Sequence, residues 1–322
     1  MSRRALLVGI DRYENVFPLT GCVSDATRMA RLLHRNEDGS RNFDCRVLTS
    51  DGNERITRTQ LRQEWRQLFH NFTGDLLFYF SGHGAPTEIG AYLVVQDGTL
   101  DDPGISMNDL LLLANRSKAR EVTLILDCCF SGDIGDPAFL QVGNVVNQSH
   151  LREGVTILAA SGSNEYSKEL NGQGVFTRLV LDALEGGAAD TRGEVSAASV
   201  YAYVDRALGS WDQRPVYKSY ADALTPLRRC KPQVPDEVLR EMCIFFDKPD
   251  SEYRLNPSYE ITSKRKSKKN VEIFGRFKLY RDAHLLRTLN GEDLYHTAMG
   301  SKCVVLTPLG RFYWHLGKQG RF

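Results

Sequence analysis

The feature that most constrains the fold is a series of short apolar runs separated by amphipathic stretches across residues 1–230. The runs are Ala5–Ile10, Asp44–Leu48, Leu76–Phe80, Val122–Asp127 and Val155–Ala160. Three of them are uniformly apolar, which is typical of strands covered by helices on both faces. Helical periodicity lies between the runs, for example at Ser24–His34, Thr57–Phe69 and Phe176–Leu184. The pattern therefore predicts a doubly wound, largely parallel α/β sheet.

Composition and charge suggest two modules. The chain has 322 residues, 42% of them hydrophobic and 25% charged, which is typical of a globular protein large enough for one sizeable domain and a small one. Residues 231–322 hold 17 Lys and Arg against 11 Asp and Glu, whereas residues 1–230 hold 24 against 29. We therefore expect an α/β domain over 1–230, a linker region over 231–270 and a small α+β module over 271–322.

The cysteines and the apolar runs bear on the compartment. Seven cysteines, with a vicinal Cys128-Cys129 pair and no C-x-x-C spacing, argue against a disulfide framework and against a structural zinc site. No apolar run approaches the ~20 residues of a membrane helix, and the amino-terminal run is too short for a signal-peptide core. We therefore expect a cytoplasmic protein without a membrane segment.

Two polar motifs follow predicted strands. Leu76–Phe80 leads into Ser81-Gly82-His83-Gly84, and Val122–Asp127 leads into Cys128-Cys129. The carboxyl ends of parallel strands meet at one edge of a sheet, where ligands bind. An imidazole beside a thiol is the usual base for a cysteine nucleophile. The alternative is that the histidine is structural and the cysteines only fill the core.

A resemblance to a known family rests on six blocks in order. "YFSGHG" and "LILDCCFSGD" resemble the two catalytic blocks of the caspase-like cysteine peptidases, and of metacaspase or orthocaspase-type bacterial proteins in particular. "ALLVGIDRY", "LTGCVSDATRMARLL", "ILAASGSNEYSKE" and "GVFTRLVLDALEGGA" resemble supporting blocks. The resemblance spans residues 4–215 and implies a mostly parallel six-stranded sheet flanked by helices. It also implies a cysteine endopeptidase that needs no cofactor for its chemistry, in a regulated bacterial stress or immune effector.

The resemblance assigns roles to the catalytic blocks. Aligning "DCCFSG" with the family pattern puts Cys129 in the nucleophile position and leaves Cys128 as a packing residue. His83 is then the general base and the proton donor to the leaving amine, so that the two form a Cys-His dyad working through a thioester. The N–H groups of Gly84 and Cys129 would form the oxyanion hole.

Acidic residues suggest what the site prefers. Asp127 precedes the nucleophile by two positions, and Asp25 lies where metacaspases line their specificity pocket, with Cys22 and Ser81 at the remaining wall positions. Two carboxylates in one pocket repel aspartate and attract arginine or lysine, and arginine is favoured because its planar fork can bridge them. The alternative for Asp25 is a charge placed at a helix N-terminus by the dipole.

The resemblance also raises the possibility of calcium as an activator. Many metacaspases bind Ca²⁺ through acids near the active site. Asp97, Asp109 and Asp136 match those positions, and Asn108 stands where another acid is expected. An asparagine carbonyl can ligate calcium, but the lost charge weakens affinity. The alternative is that these are solvated loop residues.

The carboxyl-terminal region leaves several readings open. Five basic residues occupy Lys264–Lys269, and the segment fits a solvated linker, a nucleic-acid contact or a self-processing site; Arg152 is another candidate for self-processing. "VVLTPLGRFYWHL" resembles part of a winged-helix module, with a strand at Cys303–Leu306 and a helix that Thr307 caps; a further helix is predicted over Phe277–Leu289.

Three functions therefore remain at this point. The chain could be an Arg/Lys-specific endopeptidase acting on a protein substrate, a catalytically silent caspase-like scaffold, or a regulator that binds an activating protein or nucleic acid through residues 231–322.

Overall fold

The structure is a computed structural model that describes residues 2–52, 55–88, 90–129, 151–160, 169–170, 173–208, 215–221 and 225–322. In chain order its elements are β1 (Arg3–Gly9), α1 (Cys22–His34), β2 (Asp44–Thr49), α2 (Arg58–Phe69), β3 (Asp75–Ser81), β4 (Gly84–Thr87), β5 (Gly90–Val94), β6 (Gly104–Ser106), α3 (Met107–Arg116), β7 (Glu121–Asp127), β8 (Val155–Ala159), β9 (Glu169–Leu170), β10 (Gln173–Gly174), α4 (Val175–Asp182), β11 (Glu194–Val195), α5 (Ala197–Leu208), β12 (Val216–Tyr220), β13 (Arg228–Arg229), α6 (Asp236–Phe245), β14 (Tyr253–Arg254), α7 (Lys268–Asp282), β15 (Leu286–Thr288), α8 (Leu294–Met299), β16 (Cys303–Leu306) and α9 (Pro308–Lys318). A π-helical turn follows α4, and a 3₁₀ turn at Pro257–Tyr259 precedes α7.

The central sheet has six strands in the order β12-β8-β7-β3-β1-β2. Five of them are parallel, and β12 runs antiparallel to β8 at one edge. The mostly parallel six-stranded sheet is confirmed, and each of the five predicted strands is found within two residues of its predicted bounds. β12 carried no apolar run, because its residues are half-buried or exposed at the sheet edge.

Both faces of the sheet are covered, which explains the uniformly apolar strands. Along β3, Phe78 and Phe80 pack into a core with α2 and α3, while Leu77 and Tyr79 pack into a second core with α1, α4 and α5. All four side chains are fully buried. The result is a three-layer α/β/α unit whose strands end at one edge with their polar motifs.

The chain divides into two compact units, and the predicted linker at 231–270 is corrected. The first unit comprises residues 1–189 and 194–230, and the second comprises 190–193 and 231–322. Val238, Leu239 and Met242 of α6 share one buried core with Phe274 and Phe277 of α7. The segment over 231–270 therefore contributes seven of the nineteen buried residues of this core, and its many polar residues lie on the outside of that unit.

The second unit contains the three-stranded antiparallel sheet β14-β16-β15 with helices around it. The predicted helix over 277–289 ends earlier, because His284 adopts a left-handed φ of 58° and the chain continues as β15. The strand β16 and the cap of α9 are confirmed, with the Thr307 hydroxyl accepting the Gly310 N–H at 3.0 Å. The winged-helix resemblance stays a prediction, since α8 lies between β15 and β16. Among the described helices, none has the length and apolarity to span a bilayer.

Candidate active site

The strand register brings together the two polar motifs that follow β3 and β7. Ser81, the last residue of β3, pairs with Asp127, the last residue of β7, so that His83 and Cys129 each lie two residues beyond one register pair. The Gly82 N–H donates to the Asp127 carbonyl at 3.3 Å. A methyl group added at Gly84 would lie 2.0 Å from the Cys129 carbonyl oxygen. Only a glycine lets these two segments approach so closely.

His83 is held by its backbone and by its ring. Its N–H donates to the Tyr13 hydroxyl at 2.8 Å, its carbonyl accepts the Val94 N–H at 3.0 Å, and the Tyr13 and His83 ring centroids lie 4.9 Å apart. The Nε2 atom lies 2.8 Å from the Phe17 carbonyl oxygen. A carbonyl oxygen only accepts, so Nε2 carries the proton, and in the neutral ring Nδ1 is the free base.

Burial separates the three cysteines near this edge. Cys128 is fully buried in the core under α2 and α3, as predicted for a packing residue. Cys22 is buried as well, and burial raises the pKa of its thiol, which hydrogen-bonds Ser81. Cys129 is half-buried and is therefore the accessible thiol of the three. A partly accessible thiol can reach a substrate, whereas burial encloses Cys128 and disfavours the thiolate of Cys22.

Asp25 and Asp127 converge on one glycine. The two side chains are 1% and 5% exposed, and the Gly174 N–H donates to Asp25 Oδ2 at 3.2 Å. A methyl group at Gly174 would lie 2.3 Å from Asp127 Oδ2 and 3.4 Å from Asp25 Oδ2. Asp25 lies in the first turn of α1, so the helix-charge alternative stays open, and Asp11 accepts the Cys22 N–H at 2.8 Å at the same helix start.

Asp25 has an unusual electrostatic position. Burial is the main cause that raises its pKa to about 7, and the nearby charge of Asp127 acts in the same direction against the Gly174 hydrogen bond. Its Oδ1 atom is buried and has no hydrogen-bond partner among the described residues. A buried carboxylate oxygen without a donor is costly, and a cationic ligand would supply the missing donor.

Asp127 is held more firmly. Its Oδ2 accepts the Thr177 hydroxyl at 2.6 Å and the Thr177 N–H at 3.3 Å, both in the first turn of α4. The Thr177 oxygen in turn lies 2.7 Å from the Tyr79 hydroxyl, and both side chains are fully buried. Asp25 and Asp127 thus differ in how many described hydrogen bonds their carboxylates accept.

The residues expected to bind calcium are not gathered by the described part of the chain. Asp97 accepts the Arg58 N–H at the start of α2, and Asp109 lies 3.9 Å from Arg62. No group of three suitable side chains that could hold a metal ion occurs within the described ranges. Asp136 lies outside the described residues, and Asp97, Asn108 and Asp109 alone do not form a calcium site.

Arg152 has a structural part in this fold. Its guanidinium donates to the Ala114 and Ala119 carbonyls at 3.1 and 2.7 Å and to the Ser117 hydroxyl at 3.0 Å. Self-processing after Arg152 would require these bonds to break first.

Sequence reasoning missed four groups at this edge. Tyr13 belongs to the segment ALLVGIDRY, but the sequence assigned it no role. The Phe17 carbonyl is a backbone group, and a pattern of side-chain types cannot indicate where it lies. Gly174 and Thr177 lay at the start of a predicted helix, and only the folded chain shows that they touch the acids.

Comparison with known proteins identifies the family of the chain. The model of the peptidase C14 family, described as the caspase domain, matches residues 2–225. The chain belongs to this caspase-domain family. Metacaspase-6 of Arabidopsis thaliana is 31% identical over 157 residues, covering 44% of this chain and 42% of the plant protein. Metacaspase-7 of the same plant is 32% identical over 168 residues, covering 48% and 40%. The matches therefore span less than half the length of these relatives.

Solved structures show the same fold at low identity. Caspase-1 from Spodoptera frugiperda superposes with a TM-score of 0.51 at 14% identity, covering 71% of this chain and 90% of the insect protein. A Geobacter sulfurreducens protein superposes with a TM-score of 0.52 at 17% identity, covering 72% and 100%. At this level of identity, the two structures show that the chain shares their fold, and nothing more.

Proposed function

We propose that this caspase-domain protein is a cysteine endopeptidase that cuts proteins after arginine, and less readily after lysine. The observation that carries the proposal is the convergence of two buried carboxylates beside the accessible Cys129 and its imidazole neighbour. Their combined charge favours a cationic side chain, and the free Oδ1 of Asp25 is an acceptor for a planar guanidinium. A role in stress or immune responses is a further expectation of the family resemblance.

The chemistry follows from the tautomer of His83. Its Nδ1 takes the proton of the Cys129 thiol, and the thiolate sulfur bonds to the carbonyl carbon of the substrate peptide. The N–H groups of Gly84 and Cys129 stabilise the negative oxygen. The carbon–nitrogen bond then breaks as His83 gives its proton to the leaving amine, which leaves a thioester. Water attacks the thioester with His83 as base, and the acid product leaves as the thiol is restored.

Peptide turnover tests the proposal. Fluorogenic peptides with arginine, lysine, citrulline or aspartate before the scissile bond are compared for wild type, Cys129→Ala and the matched control Cys128→Ala, with and without Ca²⁺. We expect arginine to be cut fastest, aspartate not to be cut, and only Cys129→Ala to abolish turnover. Faster cutting after aspartate, or activity that depends on Cys128 instead, would contradict the assignment.

A covalent probe separates an inactive scaffold from an enzyme that awaits an activator. An arginine-containing peptidyl electrophile is incubated with the protein, and the intact mass and the modified residue are determined. Labelling of Cys129 without peptide turnover indicates a competent site. Absence of labelling in wild type, under conditions where a free thiol reagent does react, supports the scaffold.

One observation favours a second function in the carboxyl-terminal unit. Five cationic side chains form what we call the basic patch. They are exposed and have no acid partner within the described chain: Lys264, Arg265, Lys266, Lys268 and Lys269. The segment is ordered by the Ser267 N–H, which donates to the Ser258 carbonyl at 2.9 Å. Two of the lysines lie in the first turn of α7, where the helix dipole disfavours positive charge, so they do not serve the stability of that helix.

We propose that this patch binds the phosphate backbone of nucleic acid. Five neutralised phosphates give a log–log salt slope of about −4.5 on duplex DNA. Changing the five residues to glutamine, with peptide turnover as the control, should remove most of that slope. An unchanged slope would refute the assignment, and cutting within the patch by the active enzyme would point to self-processing.

A further inference from the structure

A chain of buried hydroxyl groups ends on one of the two pocket acids. Thr177 Oγ1 lies 2.6 Å from Asp127 Oδ2 and 2.7 Å from the Tyr79 hydroxyl oxygen. A carboxylate only accepts, so the single hydroxyl proton of Thr177 is directed at Asp127. Tyr79 must then donate its own proton to the Thr177 oxygen. The direction of the chain is therefore fixed, from Tyr79 through Thr177 to the carboxylate.

The backbone of α4 reinforces the same interaction. The Thr177 N–H is one of the first-turn donors that have no partner inside the helix, and it also points to Asp127 Oδ2, at 3.3 Å. The residue preceding α4, Gly174, provides no side-chain cap. Asp127 thus receives a hydroxyl, an N–H and the positive end of a helix dipole, all of which stabilise its charged form.

The Asp25 carboxylate accepts fewer stabilising hydrogen bonds than the Asp127 carboxylate does. It has the Gly174 N–H at 3.2 Å on one oxygen and no described partner on the other. Two carboxylates this close repel each other, and burial strengthens the repulsion. When one of two neighbouring acids accepts more hydrogen bonds, that acid stays ionised more readily, and the other acid is the one that becomes protonated.

We infer that Thr177, oriented by Tyr79, is a positioning residue that fixes Asp127 as the charged wall of the specificity pocket and so sets the preference for arginine over a neutral side chain. The inference rests on the proposed function. Thr177 acts only through Asp127, since its hydroxyl is already committed to that carboxylate. Without the hydroxyl, Asp127 loses its shortest described hydrogen bond and faces Asp25 less well compensated.

The side chains allow a test by nearly isosteric exchange. Thr177→Val keeps the shape and removes the hydroxyl, Thr177→Ser keeps the hydroxyl, and Tyr79→Phe removes the outer donor together with its hydrogen bond to Ser81. The readout is the ratio of kcat/KM for an arginine peptide to that for the matched citrulline peptide, which is neutral and of the same shape. This ratio isolates the charge of the pocket from the chemistry at Cys129, because both peptides use the same nucleophile.

We expect Thr177→Val to lower the arginine-to-citrulline ratio by about tenfold or more, as a hydrogen bond to a charged group implies. The loss should appear mainly in KM for the arginine peptide, with citrulline turnover little changed. Thr177→Ser should stay within about threefold of wild type, and Tyr79→Phe should fall between the two. Thermal melts accompany each variant, and Tyr79→Phe with Thr177→Ser carries the comparison if the valine variant does not fold.

The outcomes distinguish this inference from the proposed function. A wild-type protein without any arginine preference overturns the proposed specificity and this inference together. A wild-type preference that survives Thr177→Val overturns the inference alone. Equal losses on the arginine and citrulline peptides would also overturn it, because they would mean that Thr177 supports the fold rather than the charge of the pocket.

Discussion

The exchange Asp25→Asn makes it possible to measure how much stability the protein loses when the buried Asp25 carboxyl ionises. The pKa of Asp25 is raised from 3.8 to about 7, chiefly by burial. Because the folded state binds this proton more tightly than the unfolded state does, the free energy of unfolding falls as pH rises between about 4 and 7. At 1.36 kcal/mol for each pKa unit, the loss reaches about 4 kcal/mol above pH 7. Asparagine has no proton to lose and can still accept the Gly174 N–H.

The variant should therefore gain stability relative to wild type as pH rises. We expect the difference in free energy of unfolding, variant minus wild type, to increase by about 3 kcal/mol from pH 4.5 to pH 8. Urea unfolding followed by circular dichroism at several pH values measures it, with Asp101→Asn, an exposed acid, as the matched control. A difference that stays constant with pH would refute the reasoning, since it would mean that Asp25 ionises equally in both states.

The same carboxylate should shape catalysis. In wild type, the preference for arginine over citrulline should rise as pH passes about 7, because the pocket then carries a second charge. Burial opposes this ionisation most, followed by the charges of Asp127 and Asp11, whereas the Gly174 hydrogen bond and Arg28 favour it. Asp25→Asn should flatten the rise. Following the ratio of the two peptides cancels the titration of the catalytic pair, and a rise that persists in the variant would assign the charge elsewhere.

Three further exchanges probe the scaffold. Gly84→Ala places a methyl group 2.0 Å from the Cys129 carbonyl oxygen, so we expect a destabilisation of about 1–3 kcal/mol in urea and loss of turnover on every peptide; wild-type turnover would refute the close approach. Tyr13→Phe leaves the His83 N–H without its acceptor, so stability should fall by about 1–3 kcal/mol and kcat should fall more than KM rises; unchanged kcat would show that this bond does not orient the histidine. Thr307→Ala removes the cap of α9, which should lower thermal stability by about 1 kcal/mol while peptide turnover stays at the wild-type level; equal melting temperatures would contradict the capping role.

The sequence predicts the central sheet well, and the reasons are physical. Buried parallel strands such as β3 require uninterrupted apolar residues, and this requirement leaves a visible run. Half-exposed β12 at the sheet edge has no such requirement, so its five residues gave no signal. The core of the second unit escaped prediction because α6 lies in a segment rich in proline and charge, whose apolar residues are spaced for one helix face only.

The sequence could predict only those site residues whose side chains belong to a recognisable motif. His83 and Cys129 follow strands in quoted motifs, so their shared edge could be expected from topology alone. The Phe17 carbonyl could not, because backbone atoms are the same for every residue type. Thr177 could not either, since its contact with Asp127 joins positions 50 residues apart. Contacts of this kind need the register of the sheet and the start of α4 together.

The membership of residues 190–193 in the second unit bears on how the chain can be taken apart. Arg192 forms an ion pair with Asp236 at 2.8 Å, and the Thr191 carbonyl accepts the Gln233 N–H at 3.0 Å. The polypeptide therefore enters that unit twice. It first contributes residues 190–193, then returns to the first unit, and finally contributes residues 231–322. A single cut anywhere between 194 and 230 would sever the covalent connection and still leave a four-residue anchor in place. A fragment that begins after residue 193 would therefore lack the Arg192–Asp236 ion pair and the Thr191 backbone acceptor, although it contains the rest of the second unit.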